Sequence, residues 1–393
     1  MPSANEEYLD AALRHSMELR GFTRGELQRL NKLLERSDRE LSIELRKALA
    51  DMGVKKGAQY SFKTKRFKRM IEELSGMRAA VMAELRSDNK STFDALATLE
   101  AQKELDILNS VVPVEFSFAA ASGTLLREIV NSRPFQGRIL KDYYTTLSAN
   151  DKRRLRESIQ LGMAQGESIN DIVARVVGTR GAQFKDGALA ITRREAEAIV
   201  RTAVNHISNG AREAVWAANS GAFSYLMWVS TLDGRTTLIC ASRDGKVIST
   251  DGSPIPAQYE ALVPQGARPP AHYNCRSLTV VVFSEDGLVG NRPFVVDTRT
   301  RSKRTIDFRE EAKRRGVSVG QVRNEWKAEN VGRVPAKTTF NQFLRRQDAA
   351  FQDSYLGKRR GAAYRAGDLN VDQFVDRYGK TLTLKQLADS SVI

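Results

Sequence analysis

A chain of 393 residues exceeds what one compact hydrophobic core supports and has the length of two or three domains. Its hydrophobic content of 41% is enough for folded domains, and 28% charged residues is ordinary for a globular protein. No apolar run approaches the length of a bilayer span, so no membrane span is expected, and two cysteines exclude a disulfide framework. The formal net charge is +15, and it is unevenly spread: residues 286–393 hold 22 Lys and Arg against 13 Asp and Glu. Such a surface favours a polyanionic partner such as double-stranded DNA, or an acidic protein face, and otherwise serves solubility. The opening Met-Pro-Ser-Ala-Asn-Glu-Glu has neither a basic start nor an apolar stretch, so synthesis and assembly in a cytoplasm are expected.

Residues 1–118 read as a helical N-terminal region, either an arm or a bundle. Leu27, Leu30, Leu33 and Leu34, then Leu41, Leu45 and Leu49, fall at helical spacing before Gly53 and Gly57 break the pattern. Phe67, Met70, Ile71 and Leu74 form a second helical face that ends before Gly76, and 77–108 read as a further, long helix. Residues 111–118, with Pro113, read as an extended connector, and 119–123 as a small, flexible link.

From Gly137 onward, Leu140, Tyr143, Tyr144 and Leu147 make one helical face. Ser148-x-x-Asp151, Ser168-x-x-Asp171 and Thr192-x-x-Glu195 each read as a capping box that starts a helix. The last of these opens a long helix with an apolar stripe from Ile199 to Val215. Beyond it the hydrophobic period changes to two, and 225–229, 247–249 and 278–283 read as short strands between dense turn signals. Residues 250–269 form a Pro- and Gly-rich excursion. The fold class is therefore mainly α with one small α+β module, followed by a basic, mostly helical C-terminal region. That region has a mixed-charge helix over 299–315, a turn at Asp286-Gly287, and helical spacing from Phe340 to a C-terminal cap at Gly357.

The segment 228–283 holds both cysteines, Cys240 and Cys275, and His272, one of three histidines. Its ordered residues are Trp228, Asp233-x-Arg235-Thr236, Cys240, Asp244-Gly245, and Pro270-x-His272-x-Asn274-Cys275-Arg276. This set resembles the head-morphogenesis family of tailed bacteriophages typified by phage Mu protein F. The resemblance extends upstream to about Gly137 and more loosely to the C-terminus, which divides the chain into 1–118, a Mu F-like core at 137–285, and 286–393. It implies a minor capsid protein acting in low copy near the portal during procapsid assembly and DNA packaging or delivery. The implied partners are portal and capsid or scaffolding proteins. The implied locations are the virion head, and the host cytoplasm during assembly.

Cys240, His272 and Cys275 offer zinc the thiolate and imidazole ligands it prefers, and Asp233 is the expected fourth ligand. The family often carries another cysteine three residues before the position of Cys240, where this chain has Thr237. A Cys240–Cys275 disulfide formed outside the reducing cytoplasm, and two buried thiols beside a hydrogen-bonded histidine, are the other readings of the same residues. All three predict that the residues are close in space. Asp233-Gly-Arg235-Thr reads as a turn, with Arg276 pairing Asp233 or Asp244. Asp233, His272 and Asn274 also permit an alternative: a DNA-binding or metal-dependent nuclease-like protein. Such nucleases need a second histidine ligand downstream, and none follows His272. The expected role is structural rather than enzymatic. The basic residues expected to meet DNA or a partner are Arg301, Lys303, Arg304, Lys313, Arg314, Arg315, Lys358, Arg359 and Arg360.

Overall fold

Leu30, Leu34, Leu41, Leu45 and Leu49 are buried along one face of a single 48-residue helix, α1 (Ala4–Asp51). A computed structural model of the chain describes residues 4–58, 60–112, 117–182, 184–283, 290–299, 301–367, 369–376 and 378–389. After α1, Gly53 and Gly57 adopt positive φ and reverse the chain. Thr64 caps α2 (Lys65–Val111), its side chain accepting from Phe67 N at 3.2 Å. Helix α2 runs unbroken through Gly76, contrary to the two helices expected. One exposed glycine costs about 1 kcal/mol in a helix, and the burial of Leu74, Arg78, Met82 and Leu85 on either side outweighs it. The connector over 113–116 and the turn at Asp286-Gly287 lie outside the described residues. The 119–123 link ends in a helix start: Ser122 caps α3 (Gly123–Asn131).

Two of the three capping boxes are not used as such. Ser148 and Asp151 lie inside α4 (Leu140–Ala164), because Tyr143, Tyr144, Leu147, Leu155 and Ile159 form one continuous buried face and Asp151 is taken by Arg78. Ser168 and Asp171 do form the box that starts α5 (Ile169–Val177). The long helix α6 (Leu189–Ala218) begins three residues before Thr192, whose hydroxyl, like Glu195, receives Arg154 instead.

A three-stranded antiparallel sheet follows, with β1 (Tyr225–Val229) at its centre. Two-residue β2 (Leu232–Asp233) and α7 (Leu238–Arg243) come next. β3 (Val247–Ser249) and β4 (Leu278–Val282) then flank β1 on either side. β4 is buried throughout. A second sheet has the order β2, β5 (Asn291–Val295), β6 (Val331–Pro335), with β2 and β5 parallel. Between β5 and β6, α8 (Arg301–Arg315) and α9 (Val319–Asn330) pack through Phe308 against Trp326. The C-terminal helices are α10 (Phe340–Arg345), α11 (Ala349–Leu356), α12 (Lys358–Ala366) and α13 (Leu384–Asp389). Asp348 caps α11 and so interrupts the helical run expected from Phe340, while Gly357 ends it at φ 82°.

Apolar residues gather in three clusters among the described residues. The first joins α1, α2, α3 and α6 to the β1 sheet, and the second joins the far halves of α1 and α2 to α4 and α5. Helices α1 and α2 therefore pack as a bundle against the core helices. The third cluster covers Leu232 and Ala241 with Phe340, Phe343, Leu344, Tyr364 and Phe374 of the C-terminal region.

Candidate metal centre

Cys240 sits on α7, while His272 and Cys275 lie on the turn that leads into β4. This arrangement brings the two ends of a 35-residue span together. The sulfurs of Cys240 and Cys275 are 3.7 Å apart and unbonded, and both residues are buried. His272 Nε2 lies 3.2 Å from Cys240 Sγ. The three ligand atoms all fall within 4.8 Å of one another. His272 Nδ1 is 2.7 Å from the Tyr273 carbonyl. A carbonyl only accepts, so Nδ1 carries the proton and Nε2 presents its lone pair to the sulfurs. The Thr237 hydroxyl completes the group, 2.8 Å from the same Nε2.

The hydrogen bond between the thiols holds Cys240 well above its ordinary range and Cys275 well below, with His272 adding to the second effect. Burial works against the His272 imidazolium, but Cys275 beside it outweighs burial and raises it.

Asp233 is not part of this group, contrary to expectation. Its carboxylate receives both Arg276 guanidinium nitrogens, at 2.6 and 2.7 Å, and the Arg235 backbone N–H at 3.0 Å. It is the turn-forming acid of the Asp233-Gly-Arg235 bend and the partner of Arg276. Burial would raise this carboxyl, but Arg276, then Arg235, bring it down to about 2. A folded-state value below the unfolded value of about 3.9 gives stabilisation that is complete above that value and disappears as pH falls towards 2, roughly 2 kcal/mol in all. The stability gap between wild type and Asp233→Asn, followed by urea midpoints, should therefore narrow between pH 5 and pH 2.5. A gap constant over that range would rule out the ion pair as its source.

The other signature residues frame the Cys/His group. Trp228 Nε1 donates to Ser230 Oγ at 3.0 Å, and Ser230 Oγ donates to the Cys240 carbonyl at 2.7 Å, which locks α7 onto β1. The Arg243 guanidinium lies over the Trp228 ring, 5.2 Å from its centroid. Asn274 adopts φ 61°, its N–H donates to Thr202 Oγ1 on α6, and its side-chain oxygen faces Arg201. Asp244 accepts from Ser230 N, Phe340 N and both terminal nitrogens of Arg292, which ties the module to the C-terminal region. Gly245 at φ 82° faces Thr339, and an added Cβ would stand 2.9 Å from that side chain.

Two further features bear on catalysis. His206, in the middle of α6, packs its ring tilted against Phe135 and points at the Ile129 carbonyl; burial lowers it to about 4. Its place is in the helical core. Gly316-Val-Ser318-Val-Gly320 matches the nucleophile-elbow string. Ser318 instead caps α9 between two helices, without the preceding strand that an elbow requires.

The basic residues expected to contact DNA or a partner are partly engaged within the chain. Arg314 pairs with Glu311, Arg315 with Glu325, and Arg360 donates to the Leu382 carbonyl. Arg304 lies over Trp326. Lys303 lies on α8; the side chain of Arg301 is outside the described residues. Lys313, Lys358 and Arg359 are exposed, with no ion pair among the described residues.

No curated protein and no solved structure matches the chain. Residues 153–280 match the family described as Phage Mu protein F like protein. That span runs from within α4 through α5, α6, β1, α7 and β3 into β4, so it covers α6 behind the first sheet, most of that sheet's three strands, and the whole Cys/His group. By this match, segment 153–280 of the chain is similar to the phage Mu protein F-like family.

Proposed function

We propose that the chain is a minor head protein of a tailed bacteriophage. In this reading it assembles in the host cytoplasm, stays in the virion head near the portal, and contacts portal and capsid or scaffolding proteins. The observation that carries the reading is the family match over 153–280, in register with one structural unit whose signature residues form its internal frame. A structural role is favoured over a catalytic one because Asp233, Asp244 and His206 are all committed to holding the fold. Among the described residues, no helix is long and apolar enough to cross a membrane. The exposed Lys313, Lys358 and Arg359 offer a face for DNA or an acidic partner surface.

Procapsids and virions purified from the phage that encodes the chain should contain it. Deleting residues 228–283 should remove it from particles or abolish infectious heads. Particles that lack the protein, together with an unchanged titre when its gene is deleted, would overturn the assignment.

A further inference from the structure

We propose that Cys240, Cys275 and His272 bind one zinc ion through three protein ligands, with the fourth position filled by oxygen at the Thr237 edge of the cluster. The proposal concerns this module's own chemistry and goes beyond its role in the head.

Two thiolates held at about 2.3 Å from a tetrahedral ion stand about 3.8 Å apart, and a thiolate and an imidazole nitrogen on the same ion about 3.5 Å apart. The observed separations are 3.7 Å between the sulfurs and 3.2 Å from sulfur to Nε2. The ion therefore enters with shifts of a few tenths of an ångström. The imidazole is already oriented for it: with Nδ1–H donated to the Tyr273 carbonyl, Nε2 offers its lone pair, the usual arrangement of a metal-bound histidine. A disulfide would make no use of that lone pair.

The framing bonds described above hold each ligand segment independently of any ion. Cys240 is fixed through Ser230 and its own carbonyl, and Cys275 is fixed between Asn274, which bonds to Thr202 of α6, and the Arg276–Asp233 pair. Arg243 and Arg276 both lie close enough to the sulfurs to offset the negative charge of two thiolates. Binding releases the thiol protons to solvent, and access is from the exposed Thr237 side.

The fourth position decides the character of the site. A closed structural centre has four nitrogen or sulfur ligands. Here Asp233 is held by Arg276, and Thr237 brings only a hydroxyl. The ion should therefore be held less tightly than in a four-ligand site, and a thiol in place of the Thr237 hydroxyl should close it.

The test uses the full chain, purified under reducing, chelator-free conditions, loaded with zinc alone and freed of excess. Wild type should retain one equivalent by elemental analysis, and cobalt(II) in its place should give the absorption of a tetrahedral thiolate site. Cys240→Ser and Cys275→Ser should each lose the equivalent. Thr237→Cys, at an exposed position, should raise affinity roughly tenfold or more in chelator competition, since it adds a full zinc ligand. If wild type holds no zinc, the proposal fails, even where Thr237→Cys binds it; tighter retention by Thr237→Cys than by wild type places the ion at this cluster even if the serine variants do not fold. If the reduced chain holds no zinc while its two titratable thiols disappear on air oxidation, the cysteines pair with each other and the zinc assignment is wrong.

Discussion

Arg78→Met should destabilise the helical part of the molecule by about 3–5 kcal/mol, the usual cost of leaving one side of a buried ion pair without its partner. Arg78 projects from α2 into a junction of four helices. Its guanidinium donates to Asp38 and Ser37 of α1, at 2.8 and 2.9 Å, and to both carboxylate oxygens of Asp151 on α4. Arg193 of α6 holds the other oxygen of Asp38 at 2.7 Å. The Arg78 side chain is 3% exposed and that of Asp151 1%. Burial raises the Asp38 carboxyl even with Arg78 and Arg193 beside it, a sign of how dry the junction is. Removing Arg78 strands Asp151, whose only ion-pair partner among the described residues it is. The double variant Arg78→Met/Asp151→Leu removes both charges, keeps the Asp38–Arg193 pair, and should recover most of the loss. Urea midpoints read both effects. A single variant that loses less than about 1 kcal/mol, the range of exposed pairs, would show that water reaches the junction.

The same junction explains where the sequence was and was not legible. Helical stripes such as Leu41, Leu45 and Leu49, or Ile199 to Val215, announce themselves because burial on one face imposes the period. Ser168-x-x-Asp171 forms its box because nothing remote competes for its acid, so local capping decides. Ser148-x-x-Asp151 and Thr192-x-x-Glu195 have the same spelling, but Arg78 and Arg154 reach their acids from distant helices, and a local pattern carries no trace of that. The β1 sheet shows in its apolar runs. The second sheet does not: β2 has two residues, β5 contains Pro293 and half-exposed positions, and its parallel pairing is non-local. The turn signals bracketing Cys240 and Cys275 correctly placed the cysteines together. Thr237 stands where the family often carries a cysteine, and its spacing from Cys240 puts its side chain beside the same cluster.

Asp244→Ala should release the C-terminal region from the Mu F-like core while leaving the core helices folded. The Asp244 side chain is fully buried and satisfies three separate segments. Its Oδ1 accepts from Ser230 N at 2.6 Å and its Oδ2 from Phe340 N at 2.7 Å. Arg292 Nη1 and Nη2 reach the two oxygens at 2.9 and 3.0 Å. Arg292 is itself buried on β5 and also donates to the carbonyls of Ser230 and Thr338. Alanine would leave a buried guanidinium short of its counter-charge and two backbone N–H groups without acceptors, a cost of about 3–5 kcal/mol or more. That cost falls on one joint, because Phe340 N opens α10 and Arg292 anchors β5, the two elements through which the third apolar cluster covers Leu232 and Ala241. Limited proteolysis should then cut within 290–389 far faster than in wild type, while amides of α2 and α6 keep their protection against exchange. Asp244→Asn keeps the shape and one acceptor oxygen but loses the charge, so its effect should be intermediate. Uniform loss of protection across α2 and α6 would mean that the signature aspartate supports the whole fold. Proteolysis at the wild-type rate would mean that the apolar cluster alone holds the joint.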